Sequence, residues 1–287
     1  MNESQNDLER AFAKAARGTE AHPELFRQLR KSELSFLLPY HPEIEGGEFE
    51  LKNGAPVPPF VIWQNKEGAF IPVFTSEARA DAAVAKQTED QHFKRCPYSV
   101  GTLKGEILFK VLTVLKRGVV LNPLCGTEEV YLDKDAVRLL GDGSILEPIK
   151  PVGPPEDRDM TVVLPDDYPT EFLEPLFRFL SERPEVKAAW LFRLDKPRPP
   201  LKVEYGFILV ASGNWEQVKQ DFGVVAHSYC MDKPEMYYLV QVTHPADPVI
   251  KDVLAPMHPF YVAPGYQVPC AKTQAAQKES NPPAPPA

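Results

Sequence analysis

The sequence has no run of five basic residues, no stretch approaching 18 consecutive apolar residues and no Cys-x-x-Cys pair. Each absence excludes a class of function. A protein that grips the phosphates of double-stranded nucleic acid carries a basic face or stripe, whereas the lysines and arginines here are scattered and the net charge is −8. A membrane-crossing helix needs about 20 predominantly apolar residues, so no segment is expected to span a bilayer. The four cysteines, Cys96, Cys125, Cys230 and Cys270, are far apart. Residues Met1 to Arg10 are polar, without the apolar core of a secretory signal. Together these features predict free thiols in a reducing cytoplasm.

Catalytic motifs are missing too. There is no phosphate-binding Walker sequence, no GxGxxG after a strand, no GxSxG elbow and no HExxH. His-Pro-Glu occurs twice, at His22–Glu24 and His41–Glu43. It matches half of a zinc-deaminase signature, but the P-C-x-x-C half is absent, so both copies read as turns or helix starts. His227 and Cys230 fall on a predicted strand, where a separation of three sends side chains to opposite faces and makes them poor joint ligands. The acidic pairs Asp157/Asp159 and Asp166/Asp167 sit in loops beside prolines and read as solvated charges. No catalytic, cofactor-binding or metal-ligating residue is assigned, and no cofactor is expected.

What is present is an ordinary globular composition, 43% hydrophobic and 25% charged, over 287 residues. That length predicts two domains. Proline is abundant: 31 residues, against a usual share of about 5%. The prolines cluster and mark loops. The cluster in residues 148–159 is the expected boundary. The expected organisation is residues 1–150, with a helical extension over 1–32, then a second domain over 160–263. A Pro/Ala-rich tail over 264–287 is expected to be disordered.

Periodicity supplies the elements. Leu8, Ala11, Phe12 and Ala15 share a helical face, and Leu25, Phe26 and Leu29 mark a second short helix. Glu33–Tyr40, Phe60–Gln64, Ala69–Phe74, Tyr98–Leu103, Val119–Asn122 and Glu128–Leu132 read as strands. Ser76 caps a helix running to about Gln87. Leu103 to Leu115 carries a helical stripe, with Gly118 as its C-cap candidate. Asp133–Leu140 is a helix closed by Gly141 and Gly143. In the second half, Met160–Leu164, Val186–Leu194, Val203–Ala211, Val224–Cys230 and Met236–Val242 read as strands. Thr170–Glu182, with Pro175 kinking it or delaying its start, Gly213–Phe222 and the region of Val249–Leu254 read as helices. Alternating strands and helices in both halves predict an α+β fold of two mixed sheets with packed helices.

One loop stands out. Asn122, Pro123, Leu124, Cys125 and Gly126 follow a buried strand, and loops after strands often carry function. A thiolate at Cys125 would need donors and positive charge, yet Glu128 and Glu129 follow closely and oppose it. Asn122, Pro123, Cys125 and Gly126 are therefore a weak candidate site, with a structural turn as the alternative.

The chain resembles the SseB family. The residues that carry the resemblance in the first half are Pro72-Val73-Phe74-Thr75-Ser76-Glu77 entering an alanine-rich helix, then Gly105–Lys116, Val120-Leu121-Asn122-Pro123 and Glu129–Leu140. In the second half they are Pro184 to Trp190 entering a strand, the Tyr205–Ala211 strand, the Trp215 helix and Pro259-Phe260-Tyr261. In the family, Asn-Pro is commonly followed by glycine and a small polar residue, whereas this chain has Leu124-Cys125-Gly126. The resemblance implies a link to enhanced serine sensitivity in bacteria and brings no catalytic residue set with it.

Three functions follow as expectations. The first is a non-catalytic cytoplasmic regulatory or protein-interaction protein with an unknown protein partner. The second is a small-molecule sensor for an amino acid such as serine. The third is a thiol-dependent enzyme using Cys125. Nucleic acid and membrane are not expected partners.

Overall fold

The computed structural model describes residues 3–40, 57–66, 68–91, 98–126, 129–146, 162–163, 165, 169–194, 204–230, 236–242 and 257–268. It is an α+β fold with two mixed sheets, and the chain divides into two compact units, 1–147 and 148–287.

In the first unit, helices α1 (Glu3–Ala15) and α2 (His22–Lys31) precede strand β1 (Glu33–Pro39). The predicted faces are the buried ones: Leu8, Ala11, Phe12 and Ala15 on α1, and Leu25, Phe26 and Leu29 on α2. Strands β2 (Trp63–Asn65) and β3 (Gly68–Phe74) form a hairpin, followed by α3 (Glu77–Gln91), β4 (Tyr98–Lys104), α4 (Gly105–Thr113), β5 (Gly118–Leu121), β6 (Val130–Leu132) and α5 (Lys134–Asp142). The sheet order is β4-β1-β3-β5-β6, with β2 on β3. Only the β3–β5 pair is parallel among these.

Several boundaries differ from the sequence reading for definite reasons. Phe60 N donates back to Pro58 O at 2.9 Å in a tight turn, and β2 begins only at Trp63. Leu103 belongs to β4, and α4 starts at Gly105 because Lys104 is still extended (φ −62°, ψ 133°). Gly118 is not a cap: it opens β5, and the left-handed residue after α4 is Lys116 (φ 52°). Asp133 caps α5 by accepting from Ala136 N at 2.7 Å, and α5 runs through Gly141 to a left-handed Gly143 (φ 89°).

The second unit contains β7 (Val162–Val163), α6 (Thr170–Ser181), β8 (Val186–Leu194), β9 (Glu204–Ala211), α7 (Trp215–Cys230), β10 (Met236–Val242) and β11 (Tyr261–Val262). The sheet order is β10-β9-β8-β11, with β7 on β8. Strands β9 and β10 are parallel across α7, the connection a parallel pair requires. Strand β8 is buried on both faces. Ala189 and Leu191 join the cluster with Phe172, Leu176 and Phe222 of α6 and α7, whereas Trp190 and Phe192 join the one holding Ile208, Val210 and Met257. Asp221, at 1% exposure, accepts from Arg183 Nη2 at 2.7 Å and from Gln217 Nε2 at 2.8 Å, tying α7 to the end of α6.

Two expectations are corrected here. The predicted strand Val224–Cys230 is the second half of α7, and the helix predicted over Gly213–Phe222 starts at Trp215 and runs on through it. Val224, Val225 and Ala226 are all buried, and a short fully buried run has the same pattern in either structure. The strand-based separation of His227 and Cys230 therefore falls away. Pro175 lies inside α6, which begins at Thr170 regardless. The predicted boundary at 148–159, the helix at Val249–Leu254 and most of the tail lie outside the described residues.

Candidate functional site

The loop singled out in the sequence is tied to the first unit by buried polar groups. Asn122 follows β5 in a left-handed conformation (φ 53°) and is fully buried. Asparagine tolerates this region better than most residues because its short side chain bonds locally. Its backbone N donates to Val73 O at 2.8 Å. Its carboxamide faces Thr75, which is also fully buried. Asn122 Oδ1 accepts from Thr75 N at 2.9 Å, and Asn122 Nδ2 donates to Thr75 Oγ1 at 2.9 Å. The ends of the parallel strands β3 and β5 are thus joined by a side chain using both its donor and its acceptor.

The network continues to α1. The Thr75 hydroxyl donates to Glu9 Oε1. Arg79, in the first turns of α3, grips the same carboxylate with two bonds, Nε to Oε1 at 2.9 Å and Nη2 to Oε2 at 2.5 Å. Such a bidentate fork is among the stronger polar contacts. The Arg79 guanidinium also stands 5.9 Å from the Phe12 ring centre. The hydrogen bond that Arg79 donates to Glu9 holds the Arg79 pKa above its ordinary value.

Cys125 completes the site from the loop side. Its half-buried thiol donates toward Arg79 O and Pro123 O, each at 3.4 Å. Leu124 and Gly126 on either side have positive φ, 61° and 71°. Leu124 N donates to Glu129 Oε1 at 3.0 Å. Burial pushes the Cys125 thiol pKa up. Arg79 pulls it the other way, and Glu129 and Glu9 add to the rise. The arrangement favours the protonated thiol.

Asn122, Pro123, Cys125 and Gly126 therefore lie in one turn, and the turn is brought against Glu9, Thr75 and Arg79. The sequence reading missed Glu9 and Arg79; it noted Ser76 as a cap but not Thr75. Their only local signal is the Thr75-Ser76 step at the head of α3, where Ser76 Oγ accepts from Arg79 N at 3.4 Å. His22, predicted to start a turn or helix, is the first residue of α2. Desolvation lowers its pKa to about 4. Among the described residues no group of His, Cys, Asp or Glu is placed to hold a metal ion.

A second surface runs along α4 and the capping residue after it, Val114. Ile107 and Val114 are 43% and 64% exposed. They are seven residues apart on one helical face, with partly buried Val111 between them. Glu106, Lys110, Lys116 and Arg117, near them in the chain, are exposed as well.

The polar network lies within the region that matches the SseB protein N-terminal domain, residues 8–138. The SseB protein C-terminal domain matches residues 154–262. This chain belongs to the SseB family. No curated protein and no solved structure matches it. Among the described residues of this SseB chain, no helix is long and apolar enough to cross a membrane.

Proposed function

We propose that this SseB-family chain is a non-catalytic regulatory protein of the cytoplasm that binds a protein partner through the outer face of α4. The observation that carries this reading is the exposed pair Ile107 and Val114, with partly buried Val111 between them and exposed Lys110, Lys116 and Arg117 close by in the chain. Exposed apolar side chains grouped within a polar rim are the usual form of an interaction site. The cations at the rim of an otherwise acidic protein select a partner segment that presents apolar anchors between acidic residues.

The Cys125 turn supports a structural role over thiol chemistry. A nucleophilic cysteine needs a depressed pKa and an electropositive setting, whereas burial raises this one. The Asn122 and Thr75 side chains bond each other, and Thr75 donates to Glu9. This is the bonding of a structural tie.

The test compares the tagged full chain with its Ile107→Asp/Val114→Asp variant in cross-linking experiments from the native host. The expected result is one partner at near-equal stoichiometry, cross-linked through an acidic segment and lost from a variant that melts at the same temperature. An identical capture by both proteins, or none by either, rejects the α4 surface. A turnover abolished by Cys125→Ser would instead establish the thiol enzyme.

A further inference from the structure

The end of α2 and the start of α4 meet at an unusually close crossing. Gly105 N donates to Ser32 O at 2.9 Å, and a Cβ at Gly105 would stand 1.7 Å from Leu29 O. Only glycine permits this approach of two backbones. The crossing carries the basic end of one helix onto the basic residue before the next.

The result is a cavity of about 200 Å³ lined by Arg27, Arg30, Lys31, Lys104, Glu106 and Leu146. Four cations and one carboxylate line it, in a chain whose net charge is −8. Arg30 is anchored from behind, where Nη1 donates to Leu140 O. A guanidinium has five N–H donors in a fixed fork, so an anchored arginine keeps its orientation and still has donors to offer. Two carboxylates that answer these cations are solvated. Glu24 meets Arg27 at 3.5 Å with its side chain 54% exposed, and Glu106 meets Lys104 at 3.1 Å with 47% exposed. Asp142, beside Arg30, is itself paired with Arg138 at 3.6 Å. Exposed pairs of this kind contribute little and exchange readily.

We propose that this cleft binds a small phosphate-bearing anion through Arg27, Arg30, Lys31 and Lys104. The charge selects the class. A zwitterionic amino acid would bring its own ammonium into a ring of cations, whereas a phosphate monoester carries close to two negative charges at neutral pH. Arginine forks match phosphate oxygens in pairs, and lysines add point charge. The size sets an upper limit, because pockets for drug-sized ligands run to about 300–1,000 Å³. The cleft suits a phosphate or pyrophosphate group. This proposal does not rest on the proposed partner surface.

The experiment is calorimetric titration of the full chain at low ionic strength with pyrophosphate, inorganic phosphate and L-serine. Heat is expected from both phosphate probes, and added salt should weaken it. Because Arg30 also holds Leu140, the exposed pair Lys31→Gln/Lys104→Gln is the decisive variant. It is expected to melt unchanged and to bind pyrophosphate about tenfold more weakly, the effect of losing charge-assisted contacts. Absence of heat with both phosphate probes overturns the proposal, as does undiminished binding by the lysine variant. L-serine binding as tightly as phosphate would overturn the ligand class.

Discussion

Phe192 lies over Gly206, its direct partner across the β8–β9 pair, so that a Cβ at Gly206 would stand 1.9 Å from the phenyl Cζ. The first unit repeats the arrangement on its own sheet. There Phe36 covers its cross-strand partner Gly101, and a Cβ would meet the ring at 2.7 Å. In each case the ring fills the space that an opposing side chain would occupy.

Gly206→Ala is expected to destabilise the protein by about 1–3 kcal/mol through overpacking. Combined with Phe192→Leu, it should cost clearly less than the sum of the two single changes, because the smaller side chain vacates the clash. Urea denaturation of the four proteins measures the coupling. Strictly additive values would show that the ring and the glycine do not constrain each other.

Asn122→Ala removes the acceptor of buried Thr75 N and the donor to Thr75 Oγ1, and leaves a residue with a Cβ but no side-chain bond at φ 53°. The expected loss is about 2–4 kcal/mol, combining unsatisfied buried groups with left-handed strain. A denaturation midpoint lowered at constant m-value is the signature. A loss under about 0.5 kcal/mol would place this change with ordinary surface substitutions and remove the tie from the account of stability.

Cys125 is expected to alkylate slowly at neutral pH and to reach half its maximal rate at a higher pH than a free cysteine peptide. Peptide mapping separates it from the other three thiols. The sign also carries to stability. With its folded pKa raised by burial, the thiol holds its proton in the folded state while the unfolded thiol, near pH 8.5, gives its proton up. Its contribution is therefore present below that pH and declines as pH rises. A midpoint at or below that of the free peptide would contradict the environment described.

Asp221→Ala is expected to cost about 2–4 kcal/mol. It removes the charge-assisted bond from Arg183 and the bond from Gln217 in a nearly solvent-free position. Thermal melts of Asp221→Ala and Arg183→Ala, singly and together, give the coupling between α6 and α7. If the double variant loses the sum of the two, the pair is not acting as one unit.

The sequence made the local structure legible and the site only half so. Leu8, Ala11, Phe12 and Ala15 announce α1 because burial on a helix repeats within a few residues. The turn at Asn122 and Cys125 was visible for a similar reason, as polar residues after an apolar run. Its partners were not. Thr75 lies 47 residues away, and the Arg79–Glu9 fork spans 70 residues. No periodicity encodes such distances. The second half of α7 failed differently: a run buried on every side loses the period that tells helix from strand. Gly118 offered only its residue type, and a glycine after a helix reads as a stop whether it ends that helix or opens a strand against Leu132 O.

One consequence of the Asn122-Pro123 step concerns chemical ageing. Asparagine deamidates chiefly when the next backbone nitrogen attacks the carboxamide to close a cyclic imide, and proline has no N–H with which to complete that reaction. The side chain joining the ends of β3 and β5 is therefore shielded, by the residue that follows it, from the commonest route by which an asparagine becomes an aspartate. An aspartate there would keep the acceptor for Thr75 N but lose the donor to Thr75 Oγ1 and place a charge beside Glu9. Pro123 thus protects the durability of the tie over the protein's lifetime.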